Sequence, residues 1–124
     1  MRSAIRVTSM LGAGLALMAA SPAVATYDGV CGGKRDTPDI RLSLNGSSEL
    51  LKYEFTRGGR PILTDASLRW RTASTSRMIS IVAARRSGAV VARLSLRPLR
   101  NTGAWTGTLV LNRRTYWIQC DGFG

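Results

Sequence analysis

The chain has 124 residues, with 18 lysines and arginines against 7 aspartates and glutamates, no histidine, and a formal net charge of +11. The absence of histidine excludes a Ser-His-Asp triad and the commonest zinc ligand, and no P-loop or dinucleotide-binding fingerprint occurs. We therefore expect a protein that is not an enzyme and that holds no metal and no cofactor.

The first 25 residues have the pattern of a cleavable secretory signal peptide. Two arginines precede the uncharged apolar run 10–20, and the small residues Ala23 and Ala25 stand at the two positions that a signal peptidase recognises. The apolar run is shorter than the roughly 20 residues that cross a bilayer. We predict cleavage after Ala25 and no membrane span beyond it, which leaves a single domain, 26–124, in the periplasm or outside a bacterial cell.

The chain has two cysteines, Cys31 and Cys120, so only one intramolecular disulfide is available. Disulfides persist in exported compartments. We predict that this bond ties the N-terminal segment to the last strand. The alternative, a reactive thiol, needs a thiolate-stabilising neighbour such as histidine, which the chain lacks.

Beyond the signal peptide, apolar and polar residues alternate with a period of two, which is typical of strands with one buried face. Turn sequences such as Asn45-Gly46 separate these runs. The run 77–85 is more apolar than the others, and we expect it to be covered on both faces. The seven predicted strands are 40–44, 49–55, 66–72, 77–85, 89–97, 104–112 and 114–120.

Seven strands at roughly ten-residue spacing predict an antiparallel meander. Because exposed edges favour aggregation, we expect the sheet to curl. The fold class is therefore all-β: a small antiparallel up-and-down β-barrel or a strongly curled meander of about seven strands, with a two-sheet β-sandwich as the alternative. We place Leu51 and Val90 on inward faces, and Trp70 and Trp105 in the core.

Arginine dominates the predicted surface. After removal of residues 1–25, 16 basic residues remain against 7 acidic ones, and 14 of the 16 are arginine. Guanidinium groups suit phosphate and carboxylate. We predict that four arginines on the polar faces of strands and two in the last turn bind anions, the alternative being a merely solvated basic surface. These six are Arg69, Arg71, Arg93, Arg97, Arg113 and Arg114.

Trp117 is out of phase with Cys120 in the last predicted strand. If Cys120 faces inward, Trp117 faces outward, where it would stack on a sugar or base or anchor a protein partner. The alternative is that Trp117 packs beneath the N-terminal segment held by the disulfide.

Together these features predict an exported, non-enzymatic β-barrel that binds an anionic envelope component (lipopolysaccharide, anionic polysaccharide or nucleic acid) or an acidic protein. One alternative is an inhibitor of a lysozyme-type or protease-type hydrolase, acting through the loop 56–63 with Arg60 and Pro61. Another is a structural envelope protein without a ligand, with arginines spread evenly around the barrel. An enzyme would need a concave pocket holding two of Glu49, Glu54 and Asp65.

Overall fold

The computed structural model describes residues 26–121, and these form nine antiparallel strands in one sheet of order β4-β3-β2-β1-β9-β8-β7-β6-β5. The predicted signal peptide lies outside the described residues. Within 26–121 there is no helix long and apolar enough to cross a membrane. The strands are β1 (Thr26–Gly32), β2 (Asp39–Asn45), β3 (Leu50–Arg57), β4 (Arg60–Pro61), β5 (Arg69–Ser74), β6 (Ile79–Ala84), β7 (Val90–Pro98), β8 (Trp105–Leu111) and β9 (Arg114–Asp121).

The sheet curls strongly into a half-barrel, which confirms the predicted all-β class. All seven predicted segments contain a strand, while the sandwich alternative is wrong because the strands form a single sheet. Two strands, β1 and the two-residue β4, escaped prediction. In β1 the inward positions are occupied by Gly29 and Cys31 rather than by large apolar residues, so the alternation is weak.

The core fills the concave face of the sheet. Cys31 and Cys120 lie directly opposite each other on β1 and β9, form the predicted disulfide and have no exposed surface. A disulfide is compatible with an oxidising exported compartment. Around it pack aliphatic side chains from both halves of the sheet, and the largest fully buried ones are Ile40, Leu42, Ile79, Ile81, Leu94, Leu96 and Leu109.

Two register shifts overturn the predicted orientations of two side chains. Where β2 pairs with β3, Leu44 lies opposite Leu50, which makes Leu51 an extra residue with 52 % of its surface exposed. Where β6 pairs with β7, a similar shift leaves Val90 exposed and buries Val91. The predictions for Leu51 and Val90 were wrong because a β-bulge interrupts the period of two that they assumed.

The seam of the half-barrel lies between β3 and β5. The backbone N–H of Leu50 donates to Ser74 Oγ across it at 2.8 Å. Further along, the ring of Trp70 lies 5.2 Å from that of Tyr53 and 5.8 Å from that of Phe55. Trp70 is therefore half-buried at the edge of the core, while Trp105 is buried within it as predicted.

The connections between strands sort to two ends of the half-barrel, because successive strands run in opposite directions. We call the two ends the basic end and the far end, for a charge difference described below. The far end holds the turns 46–49, 75–78 and 99–104. The basic end holds 33–38, 58–59, 62–68, 85–89 and 112–113.

Candidate functional site

Four of the six predicted anion-binding arginines lie exposed on the convex face of the sheet. Arg71 on β5 pairs with Val82 on β6, and Val82 pairs with Arg93 on β7. Two arginines therefore flank one valine, with their Cα atoms about 10 Å apart at ordinary strand spacing. Val82 is only 6 % exposed although it faces outward, which fits arginine stems lying over it. The prediction that this strand is covered on both faces is confirmed at Val82.

Arg69 lies two residues before Arg71 on the same face, and Arg97 pairs with Thr106 of β8. A row of short polar side chains, Ser80 paired with Ser95 and Ser95 with Thr108, runs between the positions of Arg93 and Arg97. We call this convex surface of β5–β8 the arginine face.

Acidic residues are distributed unequally over the convex surface. Strands β5 to β8 contain no aspartate or glutamate. On β1 to β3, by contrast, the cations Arg41 and Lys52 lie among Asp28 and Glu54, with Arg41 opposite Glu54. The half-barrel therefore has a mixed-charge half and an unneutralised basic half.

The charge difference between the two ends is larger still. The turns of the far end carry Arg77 and Arg100 with Glu49. The connections of the basic end and the strand residues that flank them carry nine cations, all exposed, with Asp36, Asp39 and Asp65, whereas the flanking residues of the far end add no charge. The nine are Lys34, Arg35, Arg57, Arg60, Arg69, Arg85, Arg86, Arg113 and Arg114.

Several carboxylates accept hydrogen bonds from uncharged groups. Asp65 accepts from the backbone N–H of Ser67 at 2.9 Å and from its hydroxyl at 2.8 Å. Those two bonds, the backbone one foremost, hold the pKa of Asp65 below its usual value, with a smaller contribution from the charge of Arg85. Asp28 likewise accepts from the Ser43 hydroxyl at 2.6 Å, and Glu49 from the Asn45 amide at 2.9 Å.

At the basic end two guanidinium groups converge on Tyr116. Arg57 donates from Nη2 to the Tyr116 hydroxyl at 3.2 Å, and Arg114 lies over the Tyr116 ring with its Cζ 5.2 Å from the centroid. Together with Asp36, Thr37 and Gly58, these three residues line a half-open hollow of about 460 Å³. We call it the tyrosine hollow.

A second hollow adjoins the tyrosine hollow and shares Thr37, Arg114 and Tyr116 with it. Its other lining residues are Lys34, Arg35, Thr115 and Trp117. Its wall depends on Gly33, because a Cβ at this position would overlap the carbonyl oxygen of Trp117 and reach the Thr37 hydroxyl at 2.9 Å. The glycine allows the segment 33–38 to lie against the start of β9.

Trp117 projects from the convex face of β9 and is 77 % exposed. The alternative in which it packs beneath the N-terminal segment is wrong, because that segment contacts the backbone of Trp117 and leaves the indole in solvent. Trp117 pairs with Thr108 and so continues the row of Ser80 and Ser95 across the sheet.

The structure brings the predicted residues together only in part. Arg113 and Arg114 lie at the basic end, and Arg69 and Arg71 extend from it along β5. Arg57 was not predicted as a site residue, although its position two residues after inward-facing Phe55 places it on the concave side at a strand end. Its approach to Tyr116, 59 residues away, depends on the sheet closing and has no local signal.

The three carboxylates considered for catalysis lie in three different parts of the fold. Glu49 lies in a turn of the far end, Glu54 on the convex face of β3, and Asp65 in the segment between β4 and β5. Each of four hollows among residues 26–121 is lined by at most one of them.

The loop considered for hydrolase inhibition forms a hairpin. Gly58 and Gly59 both have positive φ, at 59° and 79°, and Arg57 pairs with Arg60. This two-residue turn is tight, and Arg60 and Pro61 beside it are exposed.

Comparison with known proteins found no matching family model, no matching curated protein and no matching solved structure.

Proposed function

We propose that this protein is an exported, non-enzymatic binding protein that holds an anionic envelope component through its basic end and arginine face. The observation that carries the proposal is the partition of charge. Nine of the 16 cations after residue 25 lie in the connections of one end and the strand residues that flank them, against two at the other end. A structural protein without a ligand would be expected to have its arginines spread evenly, whereas these cations are concentrated at one end.

The concentration of positive charge on this surface supports a polyanion as the partner. Clustered cations raise the local potential and speed the approach of negatively charged polymers. Arginine adds directed hydrogen bonds to phosphate and carboxylate oxygens. The hydroxyl row and Trp117 lie beside Arg93 and Arg97 on the same face, where they offer polar and stacking contacts to the sugars of a polysaccharide.

The test is retention of the oxidised protein on heparin, with lipopolysaccharide and duplex DNA titrated alongside over a salt series. We expect retention stronger than that of an unrelated protein of equal net charge, and unequal affinities for the three polyanions. Affinity should fall as salt rises, because a charge-driven contact releases counterions. Retention equal to that of the unrelated protein would contradict the proposal.

A second candidate is inhibition of a secreted hydrolase, and the tight hairpin at Gly58-Gly59 favours it. The turn is short, its backbone is fixed by β3–β4 pairing, and the Arg57 side chain beside it is held by its bond to Tyr116. Such a turn enters a cleft at little entropic cost. The test is inhibition of lysozymes and proteases by the protein, with loss of inhibition in Arg60→Ala and Pro61→Ala; unchanged inhibition in both variants would exclude this loop.

A further inference from the structure

We infer that the tyrosine hollow binds the terminal phosphate of a phosphorylated sugar, while the adjoining hollow receives the sugar against Trp117. This inference rests on the proposed function and names the chemical group that the basic end recognises. It stands on three observations: the convergence of Arg57 and Arg114 on Tyr116, the sharing of lining residues between the two hollows, and the presence of the exposed Trp117 among the lining residues of the second.

The donors in the tyrosine hollow outnumber its acceptors. Arg57 uses one N–H on the Tyr116 oxygen, so its other four remain for a ligand. Because that oxygen accepts from Arg57, the phenolic proton of Tyr116 is itself available to donate. Arg114 contributes a second guanidinium and Thr37 a hydroxyl to the same lining. A group with several oxygen acceptors and a negative charge fits this set.

Phosphate fits the hollow better than a carboxylate does. A phosphate monoester offers three oxygens and a charge of about −1.5 to −2 near neutral pH, whereas a carboxylate offers two oxygens in one plane. Two guanidinium groups approaching from β3 and from β9 reach different oxygens of a tetrahedral group. Asp36, the one acid in the lining, reduces the charge of the hollow to about +1 and opposes the anion.

The size and surroundings of the hollow point to a sugar as the carrier of the phosphate. A hollow of about 460 Å³ is within the range of about 300–1,000 Å³ for small-molecule sites. The second hollow continues from Arg114 and Tyr116 to Trp117, which is 77 % exposed. Tyr116 faces inward and Trp117 outward on β9, so a sugar attached to the bound phosphate would reach Trp117 through the second hollow, which both residues line. A flat aromatic ring in solvent is a stacking surface for such a sugar.

The experiment titrates the protein with glucose 1-phosphate, inorganic phosphate and glucose at constant ionic strength, and follows the amide signals of Thr37 and Gly58 and the indole N–H of Trp117 by NMR. We expect glucose 1-phosphate to move all three signals and to bind at least about fivefold more tightly than inorganic phosphate. Glucose alone should leave the signals of Thr37 and Gly58 in place.

The variants test each contact separately. Arg57→Gln and Arg114→Gln, both exposed, should each weaken binding of glucose 1-phosphate by about tenfold or more, since each removes a charge-assisted donor. Tyr116→Phe, which keeps the ring and removes the hydroxyl, should weaken it by about threefold to tenfold. Asp36→Asn should strengthen binding. Arg77→Gln at the far end is the charge-matched control and should change affinity by less than about twofold.

The outcomes separate this inference from the function on which it rests. Two outcomes would overturn the phosphosugar site: equal losses of affinity in Arg57→Gln and Arg77→Gln, or inorganic phosphate binding as tightly as glucose 1-phosphate. If the protein is nevertheless retained on heparin, the proposal of polyanion binding is unaffected. Absence of glucose 1-phosphate binding together with absence of polyanion retention would overturn both.

Discussion

Gly107 allows the close approach of β7 and β8. A Cβ at this position would overlap the carbonyl oxygen of Ser95 and lie 3.0 Å from the Cα of Leu96, so backbone would have to move. We predict that Gly107→Ala destabilises the fold by about 2 kcal/mol or more, as overpacking against rigid backbone does. Urea denaturation measures this, with Gly46→Ala as the control because nothing lies within 4 Å of its Cβ. Equal stability of the two variants would contradict the prediction.

Asp65 gives a second prediction at the scale of one side chain. Its hydrogen bonds to Ser67 lower its pKa from the ordinary value of 3.8. A lowered pKa in the folded state means that the carboxylate stabilises the fold at pH values above the unfolded pKa, and that this stabilisation is lost as pH falls through the folded pKa.

An NMR titration of the Asp65 side-chain carboxyl carbon should therefore have its midpoint below 3.8. Ser67→Ala removes the hydroxyl donor and keeps the backbone donor, so it should raise the midpoint part of the way. A midpoint at or above 3.8 in the unmodified protein would be inconsistent with these hydrogen bonds.

At the scale of elements, the seam between β3 and β5 is held by aromatic side chains rather than by a ladder of backbone hydrogen bonds. Trp70 contacts both Tyr53 and Phe55 across it. We predict that Trp70→Ala costs about 2 kcal/mol, less than the roughly 3–5 kcal/mol of a fully buried aromatic because Trp70 is half-buried. Trp70→Phe should recover most of the loss, as measured by urea denaturation; a loss below about 0.5 kcal/mol in Trp70→Ala would show that the seam does not need the ring.

The strands show which parts of this fold can be predicted from the sequence and which cannot. Alternation located seven strands because their inward residues are large and apolar, as in Leu94 and Leu96 of β7. It placed Leu51 and Val90 on the wrong face, because a bulge adds one residue without leaving a compositional mark. The arginine face was predictable because the same alternation places its arginines on the outward faces of their strands. The tyrosine hollow was not, because Arg57 and Tyr116 meet only when distant strands curl together.

At the scale of the whole molecule, the disulfide links residues 89 apart and joins β1 to the centre of the sheet. Closing a loop of that length stabilises the fold by about 4–5 kcal/mol in the chain-entropy model, a large share of the roughly 5–15 kcal/mol typical of a domain. We predict that Cys31→Ala/Cys120→Ala loses about this amount in urea denaturation at neutral pH. A loss under about 1 kcal/mol would mean that packing alone holds β1 in place.

The measurement that most directly tests anion binding through one end compares two charge-matched double variants for affinity to the same heparin fragment over a salt series. Arg86→Gln/Arg113→Gln removes two charges from the basic end, and Arg77→Gln/Arg100→Gln removes two from the far end. We predict that the basic-end variant loses at least about fivefold in affinity and that its slope of log K against log salt falls by about 2, since each lost phosphate-like contact removes about one unit. The far-end variant should keep both the affinity and the salt slope of the unmodified protein. Equal losses in the two variants would mean that binding follows net charge alone, and the basic end would not be a site.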